Sequence, residues 1–165
     1  MKLNQKEGLS VLKLLKDDAT LSSKQIADML GKDEADIKDT IKAYEDSGII
    51  LGYHTVINSE RLGKGPVTAI IEVKLTPKKN SGFDETAKRI CEYPNVESVY
   101  LTSGGFDLAV IVNAETMLDI GNFVARNLSP IDGVTSTATH FLMHRYKESG
   151  ICYDAHDVDE RGNCN

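Results

Sequence analysis

The amino-acid sequence predicts an α+β chain of two domains: three helices at the N-terminus, then strands and helices in the order β-α-β-β-α-β. Two patterns predict this fold class. Apolar residues recur at helical spacing in the N-terminal third, and from Val67 onward alternating apolar runs are interrupted by two helical patterns. The turn-rich segment SERLGKGP lies between the two patterns. Such a segment indicates a linker, and we place a domain boundary there.

Each of the three N-terminal helices begins at a side chain that can cap it. Asn4 and Ser22 are each followed three residues later by Glu or Gln, which is the pattern of a capping box, and Asp33 precedes the third helix. Gly31 stands where the second helix needs a left-handed terminator. The third helix is predicted over residues 34–47.

Ala27, Gly31 and Ile37 stand four and then six residues apart, which is the spacing of a helix-turn-helix. An ordinary three-helix bundle has the same small-residue contact and stays open as an alternative. If the motif is a helix-turn-helix, residues 1–52 bind double-stranded DNA and the third helix reads it. The residues predicted to contact DNA are Lys24, Gln25, Lys32, Glu34, Lys38, Asp39 and Lys42.

The charge of this domain is unusual for a DNA-binding protein. The chain has a formal net charge of -6, and its N-terminal domain holds more acidic than basic residues. Phosphates attract lysines and repel carboxylates, so a solvated face that no longer binds DNA is a second reading of the third helix. A carboxylate can, however, accept a hydrogen bond from a cytosine amino group. An acidic recognition helix is therefore compatible with base contacts.

Residues 66–146 follow a strand or linker segment at 53–65 and hold four predicted strands and two predicted helices. The strands are VTAIIEVKLT, VESVYLTS, FDLAVIVNA and GVTSTATHFLMHRY, and the helices cover about 83–93 and 116–128. This order is the ferredoxin-like split βαβ arrangement, in which both helices cover one face of the sheet. A second copy of the chain is the simplest cover for the other face, so we expect a homodimer. Residues 147–165 lack an apolar period, and we expect a mobile or loosely docked tail.

Several classes of protein are disfavoured by what the sequence lacks. It has no apolar run long enough for a membrane span and no signal-peptide pattern at its start, so we expect a cytoplasmic protein without membrane partners. Cys91, Cys152 and Cys164 form no CxxC pair, and we expect reduced thiols. Neither these cysteines nor His156 follow a standard metal-site spacing. We predict no metal site, no cofactor and no catalytic residue.

The chain resembles the Lrp/AsnC family of leucine-responsive, or feast/famine, regulators from Leu3 to about Tyr146. The segments that carry the resemblance are LSSKQIADMLG, YEDSGIILGYHTVIN, YLTSGGFDLAVIV and GVTSTATHFL. The resemblance implies a helix-turn-helix joined to a ferredoxin-like effector domain of the RAM type, dimers that can assemble into octamers, and a response to amino acids. Two positions depart from the family pattern: Thr40 replaces a usual arginine and Tyr44 a common leucine.

The resemblance also implies an effector site at the loop between the second and third strands of the C-terminal domain. Backbone N–H groups beside paired glycines can hold a carboxylate, and an aspartate can receive an α-ammonium group. A plain glycine hairpin is the alternative. The residues predicted to contact an effector are Ser103, Gly104, Gly105, Phe106, Asp107, Thr137 and Thr139.

Two other functions stay open at this point. The chain can be an oligomeric module that binds a metabolite and has lost DNA binding. It can also be an enzyme, because sirohaem decarboxylases resemble the same two-domain family, and His140 or His144 would then be catalytic.

Overall fold

The computed structural model describes residues 3–63, 65–77 and 82–153, and it divides into two compact units. The first unit ends at Thr55 and the second begins at Val56. This division lies a few residues beyond the predicted end of the first domain. The predicted domain bounds stay predictions, because a compact unit need not end where a functional domain does.

The first unit consists of three helices: α1 (Gln5–Asp17), α2 (Ser23–Leu30) and α3 (Glu34–Asp46). Both predicted capping boxes are formed, with the side chains of Asn4 and Ser22 each accepting a hydrogen bond from the backbone three residues on. Gly31 ends α2 in the left-handed conformation at φ 63°, as its position predicted. Local signals of this kind specify helix ends because they act within one turn of the chain.

A small apolar core holds the three helices together. Its fully or nearly buried side chains come from all three helices: Val11, Leu15, Ile26, Ala27 and Ile37. Ala27 and Ile37, two of the three positions of the predicted helix-turn-helix spacing, are therefore core residues. Since each sits on the inward face of its helix, the opposite face of α3 is directed to solvent.

The second unit has the predicted βαββαβ order. Its elements are β1 (Val67–Leu75), α4 (Asp84–Cys91), β2 (Val96–Leu101), β3 (Leu108–Ala114), α5 (Met117–Phe123) and β4 (Val134–Phe141). The strands form one antiparallel sheet in the order β2-β3-β1-β4, which confirms the ferredoxin-like arrangement. A π-helical turn, Val124–Leu128, extends α5 to the predicted end of that helix.

The sheet has one covered and one open face. Every second residue of β1, from Ala69 to Leu75, is buried in a core with Ile90 of α4 and Ile120 of α5, so both helices cover the same face. The open face carries Ile70 paired with Ile111, both half-buried, and the exposed ring of Tyr100. This face also carries polar side chains, among them Glu72 and His140.

The segment predicted as a strand or linker contains no strand among its described residues, and the predicted end of the last strand is wrong. Residues 53–63 form no strand in the described part of that segment; a 3₁₀ turn, Ser59–Leu62, lies there instead. The last strand ends at Phe141 rather than near Tyr146. The sequence stays apolar past Phe141, with Leu142 and Met143. The Leu142 backbone N–H still donates to the Thr68 carbonyl at 2.9 Å, but beyond that bond the chain leaves the sheet.

The expectation of a loosely docked tail is wrong for residues 147–153. They form a short hairpin of β5 (Lys147–Glu148) and β6 (Ile151–Cys152). The hairpin is anchored by Tyr153, which is only 6% exposed and whose hydroxyl lies 2.6 Å from Glu148 Oε2 and 3.2 Å from the Ile57 carbonyl. The tail from residue 154 on, including His156 and Cys164, lies outside the described residues.

The expectation of reduced thiols holds for Cys91, which is free, and is wrong for Cys152, which is disulfide-bonded. Spacing in the sequence did not reveal this bond, because pairing depends on a separation in space that only the fold supplies. No helix in the described ranges is both long enough and apolar enough to cross a bilayer.

Candidate DNA-binding and effector sites

The outward face of α3 is a stripe of four exposed residues: Ala35, Asp39, Lys42 and Asp46. Their spacing of four, three and four places them along one side of a helix, opposite the inward Ile37 and Ile41. We call these four residues the outer stripe.

Four of the residues predicted to contact DNA are engaged by neighbours within the first unit. Gln25 closes the capping box of α2, and its Oε1 accepts hydrogen bonds from the backbone N–H and the hydroxyl of Ser22 at 2.8 and 2.7 Å. Lys38 forms an ion pair with Glu34, one turn earlier, at 2.7 Å. Lys32 pairs with the carboxylate of Glu7 on α1. Each of these four side chains therefore already has a partner within the first unit.

The other three predicted residues, Lys24, Asp39 and Lys42, are exposed and make no ion pair among the described residues. Lys24 lies in the first turn of α2, while the other two belong to the outer stripe of α3. The structure therefore separates the seven predicted residues into a group held by internal contacts and a group that is free to meet a partner.

Glu7, which the sequence identified only as the capping-box partner of Asn4, also pairs with Lys32. Its Oε2 also accepts the Asn4 backbone N–H at 2.8 Å. The hydrogen bond from Lys32, followed by that from Asn4, lowers the pKa of the Glu7 carboxyl below its ordinary value of 4.5. Because Glu7 and Lys32 are 25 residues apart, no local pattern predicts this pair.

Tyr44 also has a role that the sequence did not reveal. The ring packs on Gly8 of α1, and a Cβ placed on Gly8 would overlap the Tyr44 hydroxyl and lie 3.2 Å from Cζ. Tyr44 stands where the family commonly has leucine, so the larger ring is matched here by a glycine on the facing helix. The Thr40 hydroxyl, at the other departure from the family pattern, donates to the Asp36 carbonyl at 2.8 Å.

In the second unit the 103–107 loop is closed by hydrogen bonds on both sides. The Thr102 backbone N–H donates to the Asp107 carbonyl at 2.8 Å, and the Thr102 hydroxyl lies 2.8 Å from the Phe106 carbonyl. Asp107 fixes the loop to β1: its N–H donates to the Val73 carbonyl at 3.0 Å, and its Oδ2 accepts the Leu75 N–H at 2.7 Å. That second bond lies where the pairing of β1 and β4 shifts register between Lys74 and Leu75.

The two glycines of this loop are open to solvent. Neither has a positive φ, and a Cβ added to Gly104 or Gly105 would meet nothing within 4 Å. Ser103 beside them is exposed, whereas Phe106 is half-buried. Within the described chain, therefore, neither backbone conformation nor crowding requires glycine at these positions.

Thr137 and Thr139 are not brought to the loop within one chain. Both lie on β4 and pair with Val73 and Ile71 of β1, so β1 stands between β4 and the strand that follows the loop. Two strand spacings correspond to about 10 Å. Both threonines are half-buried, and the Thr137 hydroxyl lies 3.4 Å from that of Ser129.

The histidines of this region differ in their surroundings. His140 lies on the open face of the sheet, with Nε2 3.3 Å from Glu72 Oε1. His144 lies after the strand, edge-on to the Tyr146 ring. In the part of the chain that the structure describes, no three His, Cys, Asp or Glu side chains form a group that could hold a metal ion.

Two family profiles match the chain, and each covers one of these sites. Residues 8–50 match a winged helix-turn-helix DNA-binding domain, and residues 68–151 match the Lrp/AsnC ligand binding domain. The first match begins within α1 and includes all of α2 and α3, and the second begins within β1 and includes the 103–107 loop and the other three long strands.

Related proteins match over most of the chain. A Bacillus subtilis protein named as the HTH-type transcriptional regulator YugG is 40% identical over 162 residues, which are 98% of this chain and 97% of that protein. The HTH-type transcriptional regulator LrpA of Pyrococcus abyssi is 32% identical over 83% of this chain and 94% of its own length. These relatives are named as regulators and not as enzymes.

Solved structures have the same fold. The Neisseria meningitidis transcriptional regulator NMB0573, solved as a complex with L-Met, superposes with a TM-score of 0.71 at 19% identity, covering 93% of this chain and 99% of that one. The Escherichia coli AsnC structure superposes with a TM-score of 0.66 at 19% identity, covering 88% and 96%.

Proposed function

Because the chain belongs to the Lrp/AsnC family of transcriptional regulators, we propose that it reads its operator through α3 as a homodimer and responds to an amino-acid-like effector at the 103–107 loop. Family membership makes the chain a DNA-binding regulator and not an enzyme. The proposal adds which residues act, which class of effector binds and how the chain assembles. Its place of action is the cytoplasm, where bacterial and archaeal operators lie.

The observation that carries the DNA-binding part is the free state of Lys24 and Lys42. Both ammonium groups are exposed, one on α2 and one on the outer stripe of α3, and no carboxylate among the described residues neutralises them. Lysines in this state can contact phosphates without first breaking an internal ion pair. Lys32 and Lys38 would have to leave Glu7 and Glu34 to do the same, so we assign the phosphate contacts to Lys24 and Lys42.

A gel-retardation assay with the DNA upstream of the protein's own gene tests this assignment. Lys24→Ala and Lys42→Ala should each weaken binding, because each removes a phosphate contact. Lys88→Ala removes the same charge from the exposed surface of α4 in the other unit and should leave binding unchanged. Equal effects of all three variants would contradict the assignment. A wild-type chain that shifts no fragment at low salt would instead favour a module that has lost DNA binding.

Homodimerisation is supported by the open face of the sheet. Ile70 and Ile111, both only partly buried, and the 57% exposed ring of Tyr100 leave apolar surface accessible on this face. A second copy would bury this surface symmetrically and would set two recognition helices for a twofold-symmetric operator. Sedimentation at dilute concentration should therefore show dimers or larger assemblies, and Tyr100→Glu should shift the population towards monomers.

Effector binding is supported by the two open glycines. Gly104 and Gly105 lie in open space and carry no side chain, so a ligand can approach their backbone closely. Exposed N–H groups there suit a carboxylate, and Asp107 Oδ1 stays available for an ammonium group while Oδ2 holds Leu75. Thr137 and Thr139 fit this site only if they come from another copy of the chain, because β1 separates them from the loop.

A thermal-shift screen against free L-amino acids, with L-methionine among them, tests the effector site. Gly105→Ala should keep the melting temperature of the free protein, since its Cβ meets open space, and should abolish the ligand-dependent rise. Gly121→Ala, an equally open glycine on α5, is the matched control and should keep that rise. A screen in which no amino acid raises the melting temperature would contradict the effector proposal and leave DNA binding untouched.

A further inference from the structure

Asp39 stands in the middle of the outer stripe of α3. It follows Ala35 by one turn and precedes Lys42 by three residues, and it points away from the buried Ile37. In a helix-turn-helix this is the side of the recognition helix that meets base edges. A carboxylate therefore occupies the position from which bases are read.

This carboxylate is not neutralised by its own chain. Lys38, the residue before it, is paired with Glu34, and Lys42 makes no ion pair in the described part of the chain. An unpaired carboxylate close to phosphates raises the free energy of the complex unless it makes a compensating contact. No described residue of the chain supplies such a contact to Asp39. In the complex, therefore, the DNA must supply it.

We infer that Asp39 is a specificity-determining residue that accepts a hydrogen bond from the N4 amino group of a cytosine in each half-site. This inference rests on the proposed docking of α3 in the major groove. An ionised carboxylate only accepts, and in that groove cytosine presents an amino donor, whereas guanine presents two acceptors and thymine an acceptor and a methyl group. Adenine presents a donor beside the N7 acceptor, which repels the second carboxylate oxygen.

The contact therefore selects in two ways. It favours cytosine, and it rejects guanine and thymine because their acceptors would face a negative charge. Loss of one correct base pair in a specific site typically weakens binding roughly 5- to 150-fold, and we expect a substitution of this cytosine to fall in that range.

Selection of bound duplexes from a random pool tests the inference with the full chain. The wild-type protein should enrich a motif with one cytosine in each of two symmetry-related half-sites. Asp39→Asn should change that cytosine to adenine, because an asparagine side chain pairs with N6 and N7 of adenine. Asp39 is exposed and has no partner in the described chain, so this variant should keep the wild-type melting temperature.

Asp46→Asn is the matched control. Asp46 lies on the same stripe at the C-terminal end of α3, about 10 Å further along the helix, and its replacement removes the same charge. It should raise affinity modestly for all sequences and leave the motif unchanged.

A wild-type motif without cytosine at symmetric positions, or one that Asp39→Asn leaves unchanged, would overturn the role of Asp39 while leaving DNA binding intact. A wild-type protein that enriches no motif would overturn the proposed docking itself, and the inference with it. A change of motif in both variants would also overturn the inference, because it would trace the effect to charge rather than to a base contact.

Discussion

Because Gly8 contacts Tyr44, the effect of Gly8→Ala on the free energy of unfolding should depend on which residue stands at position 44. Gly8 is buried within α1 and lies under the Tyr44 ring. Glycine inside a helix is destabilising by about 1 kcal/mol relative to alanine. If helix propensity alone acted, Gly8→Ala should therefore stabilise α1. The ring of Tyr44 occupies the space that the new methyl group needs.

The magnitude follows from the two opposing effects. A Cβ on Gly8 would overlap the Tyr44 hydroxyl and approach Cζ to 3.2 Å, and forcing extra volume into a packed contact costs about 1–3 kcal/mol. Gly8→Ala in the wild-type chain should therefore change the free energy of unfolding by between nothing and a loss of about 2 kcal/mol. After Tyr44→Leu the ring is absent, and the same substitution should stabilise by about 1 kcal/mol.

A double-mutant cycle measures the difference. Native-state hydrogen exchange of the α1 amides in the full chain reports on the stability of the first unit separately from that of the second unit. The coupling between the two sites should be about 1–3 kcal/mol, which is within the range for residues in direct contact. If Gly8→Ala has the same effect in both backgrounds, the reasoning from the ring contact is refuted.

Three further predictions concern stability. Ser22→Ala should destabilise the first unit by about 1 kcal/mol because it removes the cap of α2, measured by hydrogen exchange of the α2 amides; no loss would contradict the cap. Tyr153→Phe should destabilise the second unit by about 1 kcal/mol in urea unfolding, since the Ile57 carbonyl and Glu148 lose a partner, and an unchanged midpoint would contradict the anchoring role. The lowered pKa of Glu7 means that its pairing with Lys32 stabilises above about pH 4.5, the ordinary value, and is lost as the pH falls through the folded pKa. Glu7→Gln should remove this part of the acid sensitivity in thermal melts, and an unchanged pH profile would contradict it.

Structural features that depend only on short stretches of sequence were predictable. The capping boxes at Asn4 and Ser22, the left-handed Gly31 and the βαββαβ order depend on neighbouring residues and on the period of apolar positions. The fold class and the helix-turn-helix followed from these signals. The 103–107 loop was located for the same reason, since it lies between two clearly alternating strands.

Features that depend on distant contacts were not predictable. The chain carries no sign that Glu7 binds Lys32, or that Tyr153 packs beside Ile57, because these partners meet only after folding. For this reason the sequence offered seven DNA-contacting residues with equal weight, and only the structure shows that Lys32 is already paired with a carboxylate of α1. The same limitation applies to Asp107, whose bond to the Leu75 N–H gives it a positioning role that the sequence did not indicate.

The salt dependence of operator affinity tests the central claim most directly. Lys24 and Lys42 in each of two protomers give four phosphate contacts, and the slope of log affinity against log salt should be about −3.6 or steeper in a dimer. Lys42→Ala should reduce this slope by about 1.8, and Lys88→Ala should not change it. An affinity that does not depend on salt, or a slope unchanged by Lys42→Ala, would contradict the claim that the free lysines of this acidic unit hold DNA.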